Sequence, residues 1–164
     1  MQADTRASFT RLMAQHGPGL SRVVASYARP GADHDDLAQE VALAIWRALP
    51  TFRGESSERT FVFRIAHLRG LTFVARRRPP AEEGREIEDQ RPGPEREADG
   101  RERVARLFAA MRRLPVSYRQ VLTLALEEMP HAEIAVCLGI AEGNVAVRLS
   151  RARAALRREL EEES

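Results

Sequence analysis

The feature that most restricts the fold is a break in composition after Arg78. From Pro79 to Glu102 the chain reads PPAEEGREIEDQRPGPEREADGRE, with four prolines, three glycines and Ile87 as its one large aliphatic residue. Such a stretch cannot bury enough apolar surface to offset the entropy of ordering it. The expectation is a flexible acidic linker over 79–102 that divides the 164 residues into lobes at 1–78 and 103–164. Each lobe is of a size where a single core is marginal, so docking onto a partner can supply part of the working stability.

Outside the break the composition is globular, with 43% hydrophobic residues but only 5% aromatics. Ala, Leu, Arg and Glu dominate, which points to an all-α fold of two small helical domains. In the first lobe Phe9, Leu12 and Met13 start a stripe that ends at Gly17-Pro18-Gly19, read as a breaker between two short helices. Leu20, Val23, Val24 and Tyr27 form the next stripe, closed by Pro30-Gly31. A third helix opens at Asp33 or Asp35, acids that suit a helix N-terminus, and runs to Leu49. Its apolar face is Leu37, Val41, Ile45 and Ala48. Its other face groups Asp36, Gln39, Glu40 and Arg47 around Leu43, a polar stripe with one apolar anchor that suits either a solvated face or a protein contact. A fourth helix spans about Arg59 to Arg78, with Phe61, Ile65, Leu68 and Phe73 as its apolar side. Its mix of phenylalanine and arginine fits single-stranded nucleic acid, although phenylalanines at that spacing are more often core.

In the second lobe Val104, Leu107, Phe108, Met111 and Leu114 have helical spacing up to Pro115, and Tyr118, Val121, Leu122, Leu124 and Ala125 follow. From Pro130 the chain gives a short helix, a turn at Gly139 and a longer helix to about Leu160. Ile134, Ala135 and Leu138 can pack against Ile140, Val145 and Leu149, as in a helix-turn-helix. Five arginines, Arg148, Arg151, Arg153, Arg157 and Arg158, follow within eleven residues and no acid interrupts them. A helix-turn-helix places its second helix in the major groove while basic residues hold the phosphates. DNA binding is thus favoured over an ordinary solvated arginine-rich helix.

Charge agrees with this reading once it is divided. Every basic residue is Arg, and the net charge is only +2. Residues 1–80 carry twelve arginines and seven acids (+5), residues 81–102 four and nine (−5), and residues 103–164 ten and eight (+2). The small total is a cancellation between segments and does not count against nucleic acid.

No catalytic, metal or cofactor site is expected. His16, His34, His67 and His131 have no neighbour at metal-ligand spacing, and no Gly-rich phosphate loop or nucleophile motif occurs. Cys137 is single, sits among apolar residues and fits a reducing compartment. No apolar run is long enough to span a bilayer and the N-terminus has no secretory pattern. These features point to a cytoplasmic protein without membrane insertion.

The motifs resemble those of a family. Asp35-Asp36-Leu37-Ala38-Gln39-Glu40-Val41, Ala44-Ile45-Trp46-Arg47-Ala48-Leu49, Phe52-Arg53-Gly54-Glu55 and Thr60-Phe61-Val62-Phe63-Arg64-Ile65-Ala66 are similar to region 2 of bacterial sigma factors. Leu114-Pro115, His131-Ala132-Glu133-Ile134-Ala135, Leu138-Gly139-Ile140 and Glu142-Gly143-Asn144-Val145 through Arg148-Leu149-Ser150-Arg151-Ala152-Arg153 are similar to region 4. With only these two regions, the chain resembles the extracytoplasmic-function (ECF) type of the sigma-70 family.

The resemblance implies a factor that binds core RNA polymerase through its clamp coiled coil and flap, directs it to promoters and assists melting. Asp36, Gln39, Glu40 and Leu43 match the clamp contact. Arg53, Glu55, Ser56, Arg59, Phe61 and Arg64 match the capture of minus-ten bases, with Phe61 where Trp is common. Glu142, Asn144, Ala146, Val147, Arg148, Ser150 and Arg151 match the minus-thirty-five reader. Ala146 and Val147 stand where family members often carry polar residues, and apolar side chains there can touch thymine methyls but cannot read a guanine edge. An anti-sigma factor is the implied regulator, able to hold the protein at the membrane. A sigma-like decoy that binds only an anti-sigma factor, and a stand-alone helix-turn-helix regulator, are the alternatives.

Overall fold

A computed structural model describes residues 2–77 and 97–164; residues 79–96 of the expected linker lie outside them. The described residues form seven α-helices and one short 3-10 turn, with no strand.

Helix α1 (Gln2–Tyr27) runs unbroken through Gly17-Pro18-Gly19, where the sequence reading placed a break. A proline inside a helix costs about 3 kcal/mol. On either side of it Leu12, Leu20, Val23, Val24 and Tyr27 are buried, each worth about 1.5–3 kcal/mol when removed from water. Burial of one continuous face therefore outweighs the lost hydrogen bond. Gly19 adds a second reason, because a Cβ there would lie 2.8 Å from the Phe63 ring. The glycine serves close approach between helices, not a turn.

Helix α2 (Ala32–Ala48) follows Gly31, whose φ of 104° needs a residue without a side chain. Leu37, Val41 and Ile45 recur every four residues and are buried. A 3-10 turn, Leu49–Thr51, carries Pro50 and ends the helix. Helix α3 (Glu58–Arg76) starts at Ser57, whose hydroxyl accepts the Thr60 backbone N–H at 3.1 Å. Its buried face is Val62, Phe63, Ala66, His67, Gly70 and Phe73. Leu68, expected in that face, points outward and is 56% exposed. Gly70 lets α3 cross α1, since a Cβ would sit 2.4 Å from the Tyr27 ring.

Helix α4 (Glu97–Arg113) begins six residues before the expected start of the second lobe. It continues into α5 (Val116–Leu126), α6 (His131–Leu138) and α7 (Glu142–Glu162). Among these, α5 and α6 pack on α7, and α4 packs on both α5 and α7.

The sequence reading predicts two small helical domains and leaves their relative placement open. In the structure α1 packs on α4 and α5, α3 packs on α6, and the buried apolar residues of both halves form one cluster. His67 lies at the junction, 2% exposed. Its Nδ1 lies 2.7 Å from the Tyr27 hydroxyl and its Nε2 lies 3.3 Å from Thr123 Oγ1. The Thr123 hydroxyl donates to backbone carbonyls of α5, which leaves its oxygen to accept from Nε2–H. Tyr27 then donates to Nδ1, and the ring is neutral and satisfied. Burial alone pushes its pKa down to about 3.

Candidate polymerase and nucleic-acid interfaces

The i, i+3 and i+4 spacing on α2 brings Asp36, Gln39, Glu40 and Leu43 to one exposed face, opposite the buried Leu37, Val41 and Ile45. They line one wall of a groove of about 380 Å³. Its other wall comes from the end of α3, through Phe73, Arg76 and Arg77. The Arg77 guanidinium stacks over the Phe73 ring at 4.5 Å. It pairs with Asp33 and reaches Asp36 at 3.9 Å. Leu43, 47% exposed, stands apolar among charges, as a contact anchor would. Sequence reasoning missed the α3 wall, although the basic run Arg76 to Arg78 could have signalled it.

The loop before α3 and the first turns of α3 carry the second set of residues. Arg53, Glu55 and Arg64 are exposed and Ser56 is half-buried. Phe61 is also half-buried, its ring 4.4 Å from that of Phe52. Phe63 and Phe73, the other phenylalanines of this helix, are core residues. Arg59 does not point freely to solvent. Its Nε and Nη2 donate to Glu133 of α6 at 2.9 and 2.6 Å. The Ser57 and Thr60 hydroxyls also donate to that carboxylate. The Arg59 fork holds the Glu133 carboxyl below the usual range, against a smaller opposing effect of burial.

The third set lies on the helix-turn-helix. Gly139 closes α6 in the left-handed conformation, φ 67° and ψ 38°. The Ile140 N–H then donates to the Ala135 carbonyl at 3.0 Å. Val145, Leu149 and Ala152 anchor α7 in the core, which turns the opposite face outward. On that face Glu142, Asn144, Ala146, Val147, Ser150 and Arg151 are exposed and Arg148 is half-buried. No side chain caps α7 at Ala141, and the Asn144 N–H is taken by the Ala141 carbonyl at 3.0 Å. Cys137 is buried, and burial pushes its thiol up to about 12. It is packing, not a nucleophile.

Two regions of the chain match family profiles. Residues 12–79 match "Sigma-70 region 2" and residues 105–156 match "Sigma-70, region 4". The RNA polymerase sigma factor NccH of Alcaligenes xylosoxydans xylosoxydans is 32% identical over 157 residues, covering 91% of this chain and 84% of that protein. The chain belongs to the ECF type of the sigma-70 family. The ECF RNA polymerase sigma factor SigM of Mycobacterium tuberculosis is also 32% identical, covering 95% of this chain and 79% of its own length. A solved structure of CnrH in complex with the cytosolic domain of CnrY superposes with a TM-score of 0.72. It is 27% identical and covers 97% of this chain and 91% of that one.

In this sigma factor the region 2 match covers α1 from Leu12 onward, α2 and α3, and the region 4 match covers α5, α6 and most of α4 and α7. The junction between them carries residues that no motif signalled. Arg22 of α1 donates to Glu127, at the end of α5, through Nε at 2.5 Å and Nη2 at 2.9 Å. Arg112 of α4 donates to the Ala25 carbonyl at 2.9 Å. The partners in these pairs are 87 or more residues apart in sequence, so no local pattern exposes them.

Proposed function

We propose that this sigma factor divides its work among three surfaces. As a sigma factor it binds core RNA polymerase, directs it to promoters and assists melting. The α2 face of Asp36, Gln39, Glu40 and Leu43 takes the clamp coiled coil, with Phe73 and Arg77 as the opposite wall. Region 4 meets the flap. Arg53, Glu55, Ser56, Arg59, Phe61 and Arg64 hold the minus-ten strand, where capture of unpaired bases shifts the duplex toward the open state. The outer face of α7, from Glu142 to Arg151, reads the minus-thirty-five element. What carries this reading is the joint outward orientation of three motif-bearing faces on a chain whose regions 2 and 4 both match the family.

An anti-sigma factor is the regulatory partner in this proposal. A structural relative is a sigma factor solved in complex with the cytosolic domain of another protein. No helix among the described residues is long and apolar enough to cross a membrane. The protein then works in the cytoplasm, and a membrane-bound partner could tether it there.

Reconstitution with core polymerase tests the assignment. Permanganate footprinting on genomic fragments should show open complexes that depend on this protein, and none on any fragment would sink the sigma reading. Gln39→Ala with Glu40→Ala should weaken polymerase association while leaving the circular dichroism spectrum unchanged. Normal transcription by that variant would remove the α2 face from the site.

A further inference from the structure

Two arginines of region 2 are neutralised by region 4. Arg22 makes its two-pronged contact with Glu127, and Arg59 makes another with Glu133. The carboxylates are the sheathed partners: the Glu127 and Glu133 side chains are 12% and 22% exposed, against 48% and 35% for Arg22 and Arg59. Arg22 and Arg59 both border an open cleft of about 640 Å³ between α1 and the start of α3, which Gln15, His16 and Ser57 also line. Gly19 helps to shape it, because a Cβ there would lie 2.7 Å from Glu127 Oε2. The bare backbone of α1 thus makes room for this carboxylate.

A guanidinium fork grips a carboxylate and a phosphodiester in the same way, through two parallel N–H···O bonds to a pair of oxygens. When region 4 leaves region 2, Glu127 and Glu133 leave with it and both forks are vacated on one wall. That wall continues into the loop and helix start assigned above to the minus-ten strand.

We propose that Arg22 and Arg59 form a backbone-phosphate site for single-stranded DNA on region 2, and that Glu127 and Glu133 occupy it in the closed form as phosphate surrogates. The strand and region 4 then compete for one cleft. This rests on the minus-ten assignment and adds to it a residue of α1 and a built-in mask. Region 4 keeps its apolar packing on α1 and α3, so the two carboxylates bias the closed state without being its sole support. Partly exposed pairs of this kind are individually weak, and two of them shift such an equilibrium by about tenfold.

The test uses the full chain, a short fluorescein-labelled single strand of mixed sequence at low salt, and a dye pair reporting the separation of the two regions. Glu127→Gln with Glu133→Gln, which preserves side-chain shape, should bind the strand about tenfold tighter and increase the dye separation. In that background Arg22→Ala should cancel most of the gain and flatten the salt dependence by about one counterion. Glu161→Gln with Glu162→Gln makes the same change in net charge on the far end of α7 and should leave affinity near that of the parent. Unchanged affinity of the Glu127/Glu133 variant overturns the proposal, whether or not the regions separate. An equal gain in the Glu161/Glu162 variant overturns it too, since net charge alone would then explain the effect. Arg53→Ala and Phe61→Ala in the same background test the minus-ten assignment separately. If they lose binding and Arg22→Ala does not, the assignment stands and the masked site fails.

Discussion

Acid should loosen this protein through one side chain. His67 is enclosed by Tyr27, Thr123 and the packed faces of α1, α3 and α5, and its pKa is lowered to about 3. In an unfolded chain, or one whose regions have parted, the ring returns toward 6.5. The disrupted state then binds more protons than the native one at every pH between those values. Stability attributable to His67 is complete above pH 6.5 and is lost as pH falls, with a slope approaching 1.4 kcal/mol per unit. At pH 5 the loss is about 2 kcal/mol. Protonation also removes the Nδ1 lone pair that accepts the Tyr27 hydroxyl, so the hydrogen bond lost is the one between α1 and α3 within region 2. Urea denaturation at pH 7.5 and pH 5 measures the loss, with His67→Gln as the comparison, because its amide keeps an acceptor and a donor but does not titrate. His16, whose pKa is also lowered, chiefly by burial, is common to both proteins and cancels. Glu58 and Glu133 titrate below their ordinary carboxylate values, beneath this window. The wild type should lose about 2 kcal/mol more than His67→Gln over this interval. Equal losses would refute the reasoning, because they would mean that the ring is not held neutral at the junction.

Two further outcomes follow from local geometry. Gly139→Ala forces a side chain into a left-handed turn and should destabilise region 4 by about 1–2 kcal/mol, read as a lower urea midpoint; an unchanged midpoint would mean the turn adopts another conformation. If exposed Val147 contacts a thymine methyl in the minus-thirty-five element, replacing that thymine by uracil should weaken promoter binding about fourfold, the worth of one buried methyl group. A gel-shift titration with holoenzyme reads this, and equal affinity for the two DNAs would remove Val147 from the reading face.

The helical class, the α2 stripe and the helix-turn-helix were legible because each depends on spacing within one element. Leu37, Val41 and Ile45 recur every four residues, and Gly139 sits where the period restarts. The reading failed where tertiary burial overrode a local signal. Gly17-Pro18-Gly19 carries three residues that break helices, yet five buried side chains hold α1 together across them. Leu68 is as apolar as Phe63 but lies on the outer face, since Gly70 fixes which side of α3 approaches α1. The junction was invisible for a different reason. Arg22 and Glu127, or Arg59 and Glu133, are ordinary surface residues by composition, and only the packing of region 4 on region 2 pairs them.

That packing sets a geometric condition on promoter binding. The minus-ten and minus-thirty-five elements lie about 25 base pairs apart, or about 85 Å along the duplex at 3.4 Å per pair. Each region has a radius of about 15 Å for its length, so two regions engaged on the DNA still leave about 55 Å between their facing edges. The closed form brings those edges into contact, and it cannot hold both elements at once. On the proposed assignment of one element to each region, opening is required, and the free chain's apparent promoter affinity is reduced by the fraction that is open. Between Arg76, the end of α3, and Glu97, the start of α4, lie 20 residues, which reach at most about 70 Å when extended. Removing ten of them limits the reach to about 35 Å. A deletion of ten residues within 79–96 should therefore preserve the closed form and leave region 2 able to bind core polymerase, yet abolish open complexes on promoters that need both elements. Binding to core polymerase is read by co-purification and melting by permanganate footprinting. Normal melting by the shortened chain would show that the two elements are not held by the two regions of one molecule.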